Sequence, residues 1–530
     1  VSTDHLTPRA EQRKRRARLA TAAAAVVVTA AITMLWFLRP AKPQEPRPSD
    51  QLPRIAVLPF ENLGPTEDEY FADGMTEELT SRLAVVSGLR VISRTSAMQY
   101  KEDRPSLKQV GKELGVDYVL EGTVRWARAE DGSRVRITPQ LIQVADDTHL
   151  WADAYDRVID DIFEVQSDIA TEVVSALGVM LQGDELEILE ERPTDSIEAY
   201  QAYLRGIDLW GRYELKDSVS MFGKAVALDP AFPQAWAKLC RGKAQQHFSG
   251  RDPSAELLPE AERALAQAQA LAPEDLEVRL AQAYYFYYGQ RDFDRALEEI
   301  EQIARDFPND PEVLQGRAFI LRRQGHLQES TAALLDSLTL DPRNAFTLLE
   351  VARNYRAQRM FEETFSYLDR AIALEPDNTI LYEQKSSALI AQGSIEAARK
   401  VLASAPVTDP MHGAWMGVYY YDRRWDDYHE QAQRLPRDEP LDRADSDFFQ
   451  GIALMRLGRS EEARAVLESA AGLLEEHLDE GSEWGPAMLL ASTYSLLGRK
   501  EEALAQLQPA SDVFADDLWE GRDLVDENLA

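Results

Sequence analysis

The sequence predicts an α/β domain with a mixed sheet, followed by an all-α superhelical solenoid and preceded by one membrane-spanning helix. Three observations lead to this fold class. An uncharged apolar run lies near the N-terminus, strand and helix patterns alternate up to about residue 182, and helix pairs then recur every 34 residues. A chain of 530 residues with 45% hydrophobic content can also form several buried cores.

The N-terminal segment has the pattern of a membrane anchor. Residues 1–18 form a basic tail with six lysines and arginines, and residues 19–38, "LATAAAAVVVTAAITMLWFL", carry no charge. Such a run is about 30 Å long as a helix, which is enough to cross a bilayer. Because the basic side of a span stays inside, the tail is expected in the cytoplasm and the C-terminal domains outside, with the protein in the inner membrane. The alternative is a cleaved signal peptide, but the run is long and lacks a small-residue cleavage pattern.

Charge and composition exclude several classes of function. The net charge is −33, and because the basic tail contributes +4, the remaining chain carries −37. An acidic surface of this size argues against nucleic-acid binding. One cysteine cannot form an intramolecular disulfide, and seven scattered histidines do not match zinc spacings. We therefore expect no metal and no cofactor.

After a Pro-rich linker at residues 39–53, residues 54–182 alternate between strand and helix patterns. "RIAVLPF" predicts a strand, "MTEELTSRLAVV" a helix, and "DYVLEGTVRWA" and "SRVRITPQLIQVADDTHLWADAYDR" further strands. The loop after the first strand could suggest a phosphate site, but it is rich in acids and has few glycines. This region is therefore expected to be a compact α/β domain without a nucleotide site.

Six segments in this region occur in the order of a known family. They are "IAVLPFENL", "EYFADGMTEELTSRL", "ISRTSAM", "LGVDYVLEGTVR", "RITPQLIQVADDTHLWADAYDR" and "DIFEVQSDIA". Together they resemble the TolB-like N-terminal domain of bacterial signalling proteins. The resemblance implies a non-enzymatic module placed between an output domain, such as a kinase, a cyclase or a winged-helix unit, and helical repeats. Asp73, Gly74 and Thr76 are expected to form the turn and start of a helix.

Residues 196–515 carry an internal repeat. Second-helix segments begin at Arg291, Gly325, Arg359 and Gly393, each 34 residues after the last. This period and helix ends such as "KAVALDP" resemble the tetratricopeptide repeat (TPR), which has two antiparallel helices per unit. About nine units are expected, and residues 516–530 form a tail. The predicted starts lie near Ala199, Pro233, Glu277, Pro311, Ala345, Thr379, Ala444 and Trp484, with a degenerate unit around Gly413 to Arg443.

Catalytic motifs are absent from the sequence. It contains no P-loop, no HExxH, no GxSxG and no kinase catalytic-loop pattern. Paired acids such as Glu461 and Glu462 recur at second-helix starts, where negative charge complements the helix dipole. Cys240 occupies a small packing position and is expected to be an inert core residue. The chain is therefore predicted not to be an enzyme.

Two functions remain compatible with this sequence. The first is a membrane-anchored scaffold that binds a protein or peptide in the groove of its repeats on the extracytoplasmic side. The second is the sensory or regulatory half of a transmembrane signalling receptor, whose kinase, cyclase or DNA-binding output lies upstream of residue 1 or on a partner chain.

The resemblance to TPR proteins also implies where a partner would bind. In that family the first helices line the concave face. In this chain, aromatic and arginine residues occupy the corresponding face of the first helices in three neighbouring repeats. An acidic peptide or a free C-terminus is therefore the expected ligand. The alternative is that these arginines pair with acids on adjacent helices. The candidate residues are Tyr285, Tyr288, Phe319, Arg322, Phe346, Leu349, Arg353 and Arg356.

Overall fold

The computed structural model describes residues 52–506, except 67–68, 103, 128–133, 159–161, 184, 191, 212–213, 250–255, 309, 407–410 and 479–483. All described secondary-structure elements belong to the unit Pro53–Ala530. The anchor predicted at residues 19–38 lies outside the described residues. Among the helices that are described, none has the length and apolar character needed to span a bilayer.

The N-terminal part contains a mixed sheet, as predicted, and this sheet has seven strands. Its main strand order is β3-β1-β4-β5-β6; β1 is parallel to β3 and β4, whereas β5 is antiparallel to β4 and β6. The short strand β2 pairs in parallel with β4, and β7 pairs antiparallel with β5. The strands are β1 (Arg54–Val57), β2 (Glu61–Asn62), β3 (Arg90–Val91), β4 (Tyr118–Ala127), β5 (Arg134–Gln143), β6 (Thr148–Ala152) and β7 (Tyr155–Val158).

Five helices pack with this sheet, and we call the sheet and these helices together the sheet domain. They are α1 (Glu69–Ala84), α2 (Arg94–Met98), α3 (Leu107–Leu114), α4 (Ile162–Ala176) and α5 (Glu185–Glu190). The prediction that Asp73, Gly74 and Thr76 form a turn and helix start is wrong, because α1 begins at Glu69 and all three lie inside it. Thr76 instead accepts a hydrogen bond from the backbone N–H of Phe60 at 3.0 Å, which ties α1 to the end of β1.

The C-terminal part is a TPR-type solenoid of antiparallel helix pairs. Eight complete pairs are described, and α22 followed by the helical residues 500–506 forms a ninth. The pairs are α6 (Ile197–Gly211) with α7 (Leu215–Leu228), α8 (Pro233–Ser249) with α9 (Leu257–Leu271), α10 (Leu276–Tyr284) with α11 (Phe293–Asp306), α12 (Pro311–Arg323) with α13 (Leu327–Leu340), α14 (Ala345–Ala357) with α15 (Phe361–Leu374), α16 (Thr379–Ala391) with α17 (Ile395–Ser404), α18 (His412–Tyr421) with α19 (Trp425–Gln433), and α20 (Pro440–Arg456) with α21 (Ser460–Leu478), before α22 (Trp484–Leu497).

The sequence sets both ends of the first helices. Asp275, Asp310, Asn344 and Asn378 cap α10, α12, α14 and α16, and each side chain accepts a backbone N–H of the first turn. From the third repeat onward, the turn into the second helix contains a residue in the left-handed region. Gly325 adopts a φ of 81° there, which glycine tolerates because it has no Cβ.

A continuous apolar core joins the sheet domain to the first repeats. One cluster of buried residues runs from Ile55 of β1 to Ile320 of α12. At the junction, Phe163 of α4 meets Tyr200 of α6 edge-on, with 4.7 Å between ring centroids. Gly74 of α1 lies directly against Leu204 of α6. We call this junction the apolar contact.

The apolar contact makes Gly74 sensitive to substitution. A Cβ at this position would lie 2.3 Å from Cδ1 and 3.0 Å from Cγ of Leu204, which is only 3% exposed and has little room to move. Gly74→Ala is therefore expected to destabilise the protein by about 1–3 kcal/mol. The urea midpoint measures this change.

Gly223 provides the matched control, since it also lies inside a helix but has no atom within 4 Å of an added Cβ. Gly223→Ala is expected to be neutral or to stabilise by roughly 0.5–1 kcal/mol. Equal midpoints for the two variants would mean that α1 and α6 are not closely packed.

Candidate functional site: a cavity between the sheet domain and the repeats

The sheet domain meets the repeats at a second place, which we call the polar contact. Here α2 faces the turn between α13 and α14. Ser96 donates its hydroxyl to Asp341 at 2.5 Å and accepts the backbone N–H of Arg343 at 2.8 Å. Ser93 donates its backbone N–H to the carbonyl of Leu340 at 2.9 Å. The sheet domain thus reaches from the first repeat to the junction of the fourth and fifth.

Arg343 extends the polar contact to α3. Its guanidinium donates to Glu113 at 2.8 Å and lies 5.0 Å from the ring centroid of Tyr100. Tyr100 donates its hydroxyl to the same carboxylate at 2.6 Å. Hydrogen bonds from Tyr100 and Gln109 lower the pKa of Glu113, and Arg343 adds to this effect. Glu113 is therefore ionised at neutral pH, as an ion pair with Arg343 requires.

A cavity of about 1620 Å³ lies between these two contacts. Its walls come from α1 and α2 on one side and from the first helices of the repeats on the other. Aromatic side chains form much of the repeat wall: Tyr203, Trp210, Tyr284, Tyr288, Phe319 and Phe346. The concave face of the early repeats is thereby covered by a part of the same chain.

Acidic side chains outnumber basic ones two to one on the cavity wall. The acids are Asp73, Glu77, Glu78, Glu102, Asp208, Asp275, Glu277, Asp306, Asp310, Glu312, Asp341 and Glu375. The bases are Arg82, Arg94, Lys101, Lys216, Lys238 and Arg241. The cavity therefore has an excess of potential negative charge.

A charge network on α8, α10 and α12 orders the repeat wall. Lys238 contacts Glu277 at 2.6 Å, Arg241 pairs with Glu312, and the Arg241 guanidinium lies 4.0 Å from the ring centroid of Tyr284. Burial acts to raise the pKa of Glu312, but Arg241 and Lys238 outweigh it and lower that pKa to about 2. These side chains are held by one another across three successive repeats.

Two neighbouring carboxylates show the opposite shift. Asp275 and Asp310 cap α10 and α12, and burial raises the pKa of each to about 6. The nearby charges of Glu277 and Glu312 raise these pKa values further, against the backbone N–H groups that lower them. Glu77 on the opposite wall also has a raised pKa, mainly because of burial, although Arg94 lies 3.0 Å away. The bases of the wall therefore compensate Glu312 but not Asp275, Asp310 or Glu77.

The structure places the predicted aromatic residues in two different environments. Tyr288, Phe319 and Phe346 line the cavity. Tyr285 does not line it; this side chain is 5% exposed and packs in the apolar core. The helix changes to a π-helix at Tyr285–Gln290, so the face expected from 3.6 residues per turn is lost, and Tyr284 points to the cavity with Tyr288.

The predicted arginines have partners within the repeats, and one of them, Arg322, pairs with an acid on the adjacent first helix. Arg322 and Arg353 both contact Glu350, which is 1% exposed, and Arg353 does so at 2.7 Å. Burial opposes the ionisation of Glu350, but both arginines outweigh it and lower the pKa of this carboxylate. Arg356 donates to Ser387 at 2.9 Å. None of the three lines the cavity.

Leu349 also does not lie on the predicted binding surface. It is 6% exposed and packs in the apolar core of the fourth to sixth repeats. Cys240 is fully buried, and burial raises the pKa of its thiol to about 12, which fits an inert core residue. Within the described part of the chain, no three His, Cys, Asp or Glu side chains are grouped to hold a metal ion.

The charge network was missed in the sequence, although it leaves a signal there. Asp275 and Glu277, and then Asp310 and Glu312, repeat the spacing D-x-E at the starts of two successive first helices. No local signal pairs these residues with Lys238, because their contact depends on the stacking of the repeats.

The family model of the HilA/YgeH-like transcriptional regulator, second domain, matches residues 50–171. The resemblance of this region to the TolB-like domain stays a prediction. A protein of Rhizobium meliloti (strain 1021) named putative adenylate cyclase 3 is 41% identical over 191 residues, which cover 35% of this chain and 32% of that protein. The chain thus spans about a third of this relative's length.

The similarity of this chain to solved structures is weak. Human IFIT1, determined as a dimer with PPP-AAAA, is 17% identical, with 66% of this chain and 79% of that chain covered and a TM-score of 0.37. A thermophilic TPR protein of Thermus thermophilus is also 17% identical, with 36% and 99% covered and a TM-score of 0.32. Neither likeness is close enough to carry a conclusion about ligands.

The raised pKa values of Asp275 and Asp310 predict a pH dependence of stability. Because the folded state holds these protons more tightly than an unfolded aspartate of pKa 3.8, their contribution is largest below pH 3.8 and is lost as the pH rises through about 6. Urea midpoints are therefore expected to rise between pH 7 and pH 5 more steeply in the wild type than in Asp275→Asn/Asp310→Asn, which keeps both caps. Parallel profiles would contradict the shifts.

Proposed function

We propose that this chain is a non-enzymatic interaction module whose cavity holds an extended polypeptide segment with basic side chains. The observation that carries the proposal is the cavity itself, because it combines the concave face of a TPR-type solenoid with an acidic and aromatic wall. Its volume of about 1620 Å³ is above the roughly 300–1,000 Å³ of small-molecule pockets. A peptide segment is a better match for that volume than a small ligand.

The charges of the wall favour a basic partner over the acidic one expected from the sequence. The arginines on which that expectation rested are paired with Glu350 or bonded to Ser387. Asp275, Asp310 and Glu77 instead have raised pKa values, so a cation beside them would relieve an unfavourable charge.

The aromatic rings supply the second part of the recognition. Tyr284 and Tyr288 are stacked, with 5.5 Å between their centroids, and Phe319 meets Phe346 edge-on at 6.0 Å. Ring faces attract lysine and arginine heads and also bury their alkyl stems. A segment in which basic and apolar residues alternate would therefore use both features of the wall.

A peptide titration tests this function. The probe is a labelled peptide of alternating lysine and leucine, compared with the same peptide in which every lysine is glutamate. The lysine peptide is expected to bind the wild type and to bind Asp275→Asn/Glu277→Gln roughly tenfold more weakly, which is about 1.4 kcal/mol. Fluorescence anisotropy at fixed salt measures both.

A control variant removes the same number of acids away from the cavity. Glu298 and Asp336 are exposed and do not line it, so Glu298→Gln/Asp336→Asn is expected to bind like the wild type. Equal loss in both double variants would show attraction to the overall negative charge alone. Preferential binding of the glutamate peptide would reject the proposed ligand class.

The comparisons favour a second function, in which this module regulates an output domain. The matched family model is a domain of a transcriptional regulator, and the relative of Rhizobium meliloti is named as a putative cyclase. These are two different output classes. Under this proposal the chain is the sensory or regulatory part of a signalling protein, anchored by residues 19–38 with its domains on the extracytoplasmic side.

Protease added to intact spheroplasts tests the anchored arrangement. The uncharged run and the basic tail before it predict that the repeats are digested from outside while the tail is protected. Antibodies to the two ends report the fragments. Digestion of the repeats only after lysis would mean that the repeats lie inside the cell, which contradicts the anchored receptor with extracytoplasmic domains. An in-frame output domain in the DNA upstream of residue 1 would favour the regulatory function over the scaffold.

A further inference from the structure

The two contacts that close the cavity differ in their chemistry. The apolar contact is crossed by one continuous cluster of buried apolar residues, from the sheet domain to α12. The polar contact is not crossed by any such cluster in the described residues. The buried apolar residues of α2 and α3 form one cluster with β1 and β4, those of α14 belong to a separate one, and the two share no member.

Hydrogen bonds therefore hold the polar contact. Besides the bonds of Ser93 and Ser96, the guanidinium of Arg54 donates to the carbonyl of Thr339 at 2.6 Å. Groups of this kind exchange protein partners for water when a contact opens, so their net contribution is small compared with that of an apolar core. The polar contact is the weaker of the two.

The buried carboxylate at the centre of the polar contact has a hydrogen-bond partner that would remain if the contact opened. Asp341 is 1% exposed and accepts from Ser96 and, at 2.6 Å, from the side-chain amide of Asn344. Asn344 lies on the same side of the contact and also caps α14, so it would keep Asp341 oriented if α2 moved away. The bonds that Asp341 accepts from Ser96 and from the side chain of Ser93 would need replacement by water.

The polar contact also forms one rim of the cavity. Ser93, Arg94 and Met98 of the sheet domain line the cavity together with Asp341 and Asn344 of the repeats. Separation at this rim would widen the space between α2 and the first helices. Separation at the apolar contact would instead expose the shared core to water.

We propose that the polar contact is a gate, which opens and closes the cavity by separating Ser96 from Asp341 while the apolar contact stays closed. This proposal rests on the proposed function in one respect, since the gate regulates entry of the polypeptide segment. The opening itself does not depend on which ligand binds. The two can therefore be tested separately.

Spin-label distances measure the gate directly in the full-length chain. Cys240 is fully buried and its thiol pKa is raised, so added surface cysteines can be labelled selectively. Labels at Lys108→Cys and Asp336→Cys, both exposed, report across the polar contact. Labels at Glu172→Cys and Arg205→Cys, also exposed, report across the apolar contact.

Ser96→Ala is the principal variant, because it removes both bonds that the Ser96 hydroxyl makes across the gate and adds no volume. Arg343→Gln is the second, since it weakens the bridge to Glu113 without touching the buried carboxylate. In each variant the first label pair is expected to gain a longer-distance population at least severalfold larger than in the wild type. The second pair is expected to be unchanged.

Two results would overturn the gate. One is an unchanged distance distribution at the first pair in both variants, and the other is an equal change at both pairs, which would mean general loosening. The lysine–leucine peptide is then added to the same proteins. A faster association with Ser96→Ala supports control of entry, whereas an unchanged rate rejects it. Absence of peptide binding to every protein, with the distances as expected, rejects the proposed ligand and leaves the gate standing.

Discussion

The packing of α1 and α4 against α6 is the interaction on which the rest of the structure depends. It merges the core of the sheet domain with that of the first repeats, so the two fold around shared apolar residues such as Tyr200 and Leu204. This packing fixes the direction in which the sheet domain extends over the concave face. The cavity exists because the domain is held at one end and spans to the turn before α14.

The electrostatics of the cavity follow from this covering. An acidic residue on an open concave face is solvated by water, but the sheet domain removes part of that water and the remaining acids must share a few bases. Glu312 and Glu350 obtain cations and have lowered pKa values, whereas Asp275 and Asp310 have raised ones. Pairing within the repeats thus explains why the arginines of the predicted strip already have partners, while the cavity wall keeps an excess of acids.

Local sequence patterns were sufficient to predict the helices and strands, whereas the cavity depends on contacts between residues far apart in the sequence. The 34-residue period and the capping residues contain the information for each helix pair, and strand alternation contains that for the mixed sheet. The contact of Ser96 with Asp341 joins residues 245 positions apart, and no periodicity encodes it. Arg353 and Glu350 are neighbours on one helix and could have been paired from the sequence, but the burial of Glu350 that makes the pairing decisive depends on the stacked repeats. Tyr285 was misplaced because a helical face was projected through a segment that is not α-helical.

The π-helical turn at Tyr285–Gln290 accommodates one residue more than the next repeats contain. The capping residues Asp275 and Asp310 are 35 positions apart, whereas Asp310 and Asn344, and then Asn344 and Asn378, are 34 apart. The extra residue is absorbed as one wide turn of backbone, and the next three first helices keep a spacing of 34 residues between their capping residues. An insertion that would otherwise rotate the remaining superhelix is thus confined to one helix, where it places Tyr284 and Tyr288 side by side on the wall. A solenoid can in this way acquire a new surface by changing its length locally, without remaking the units that follow.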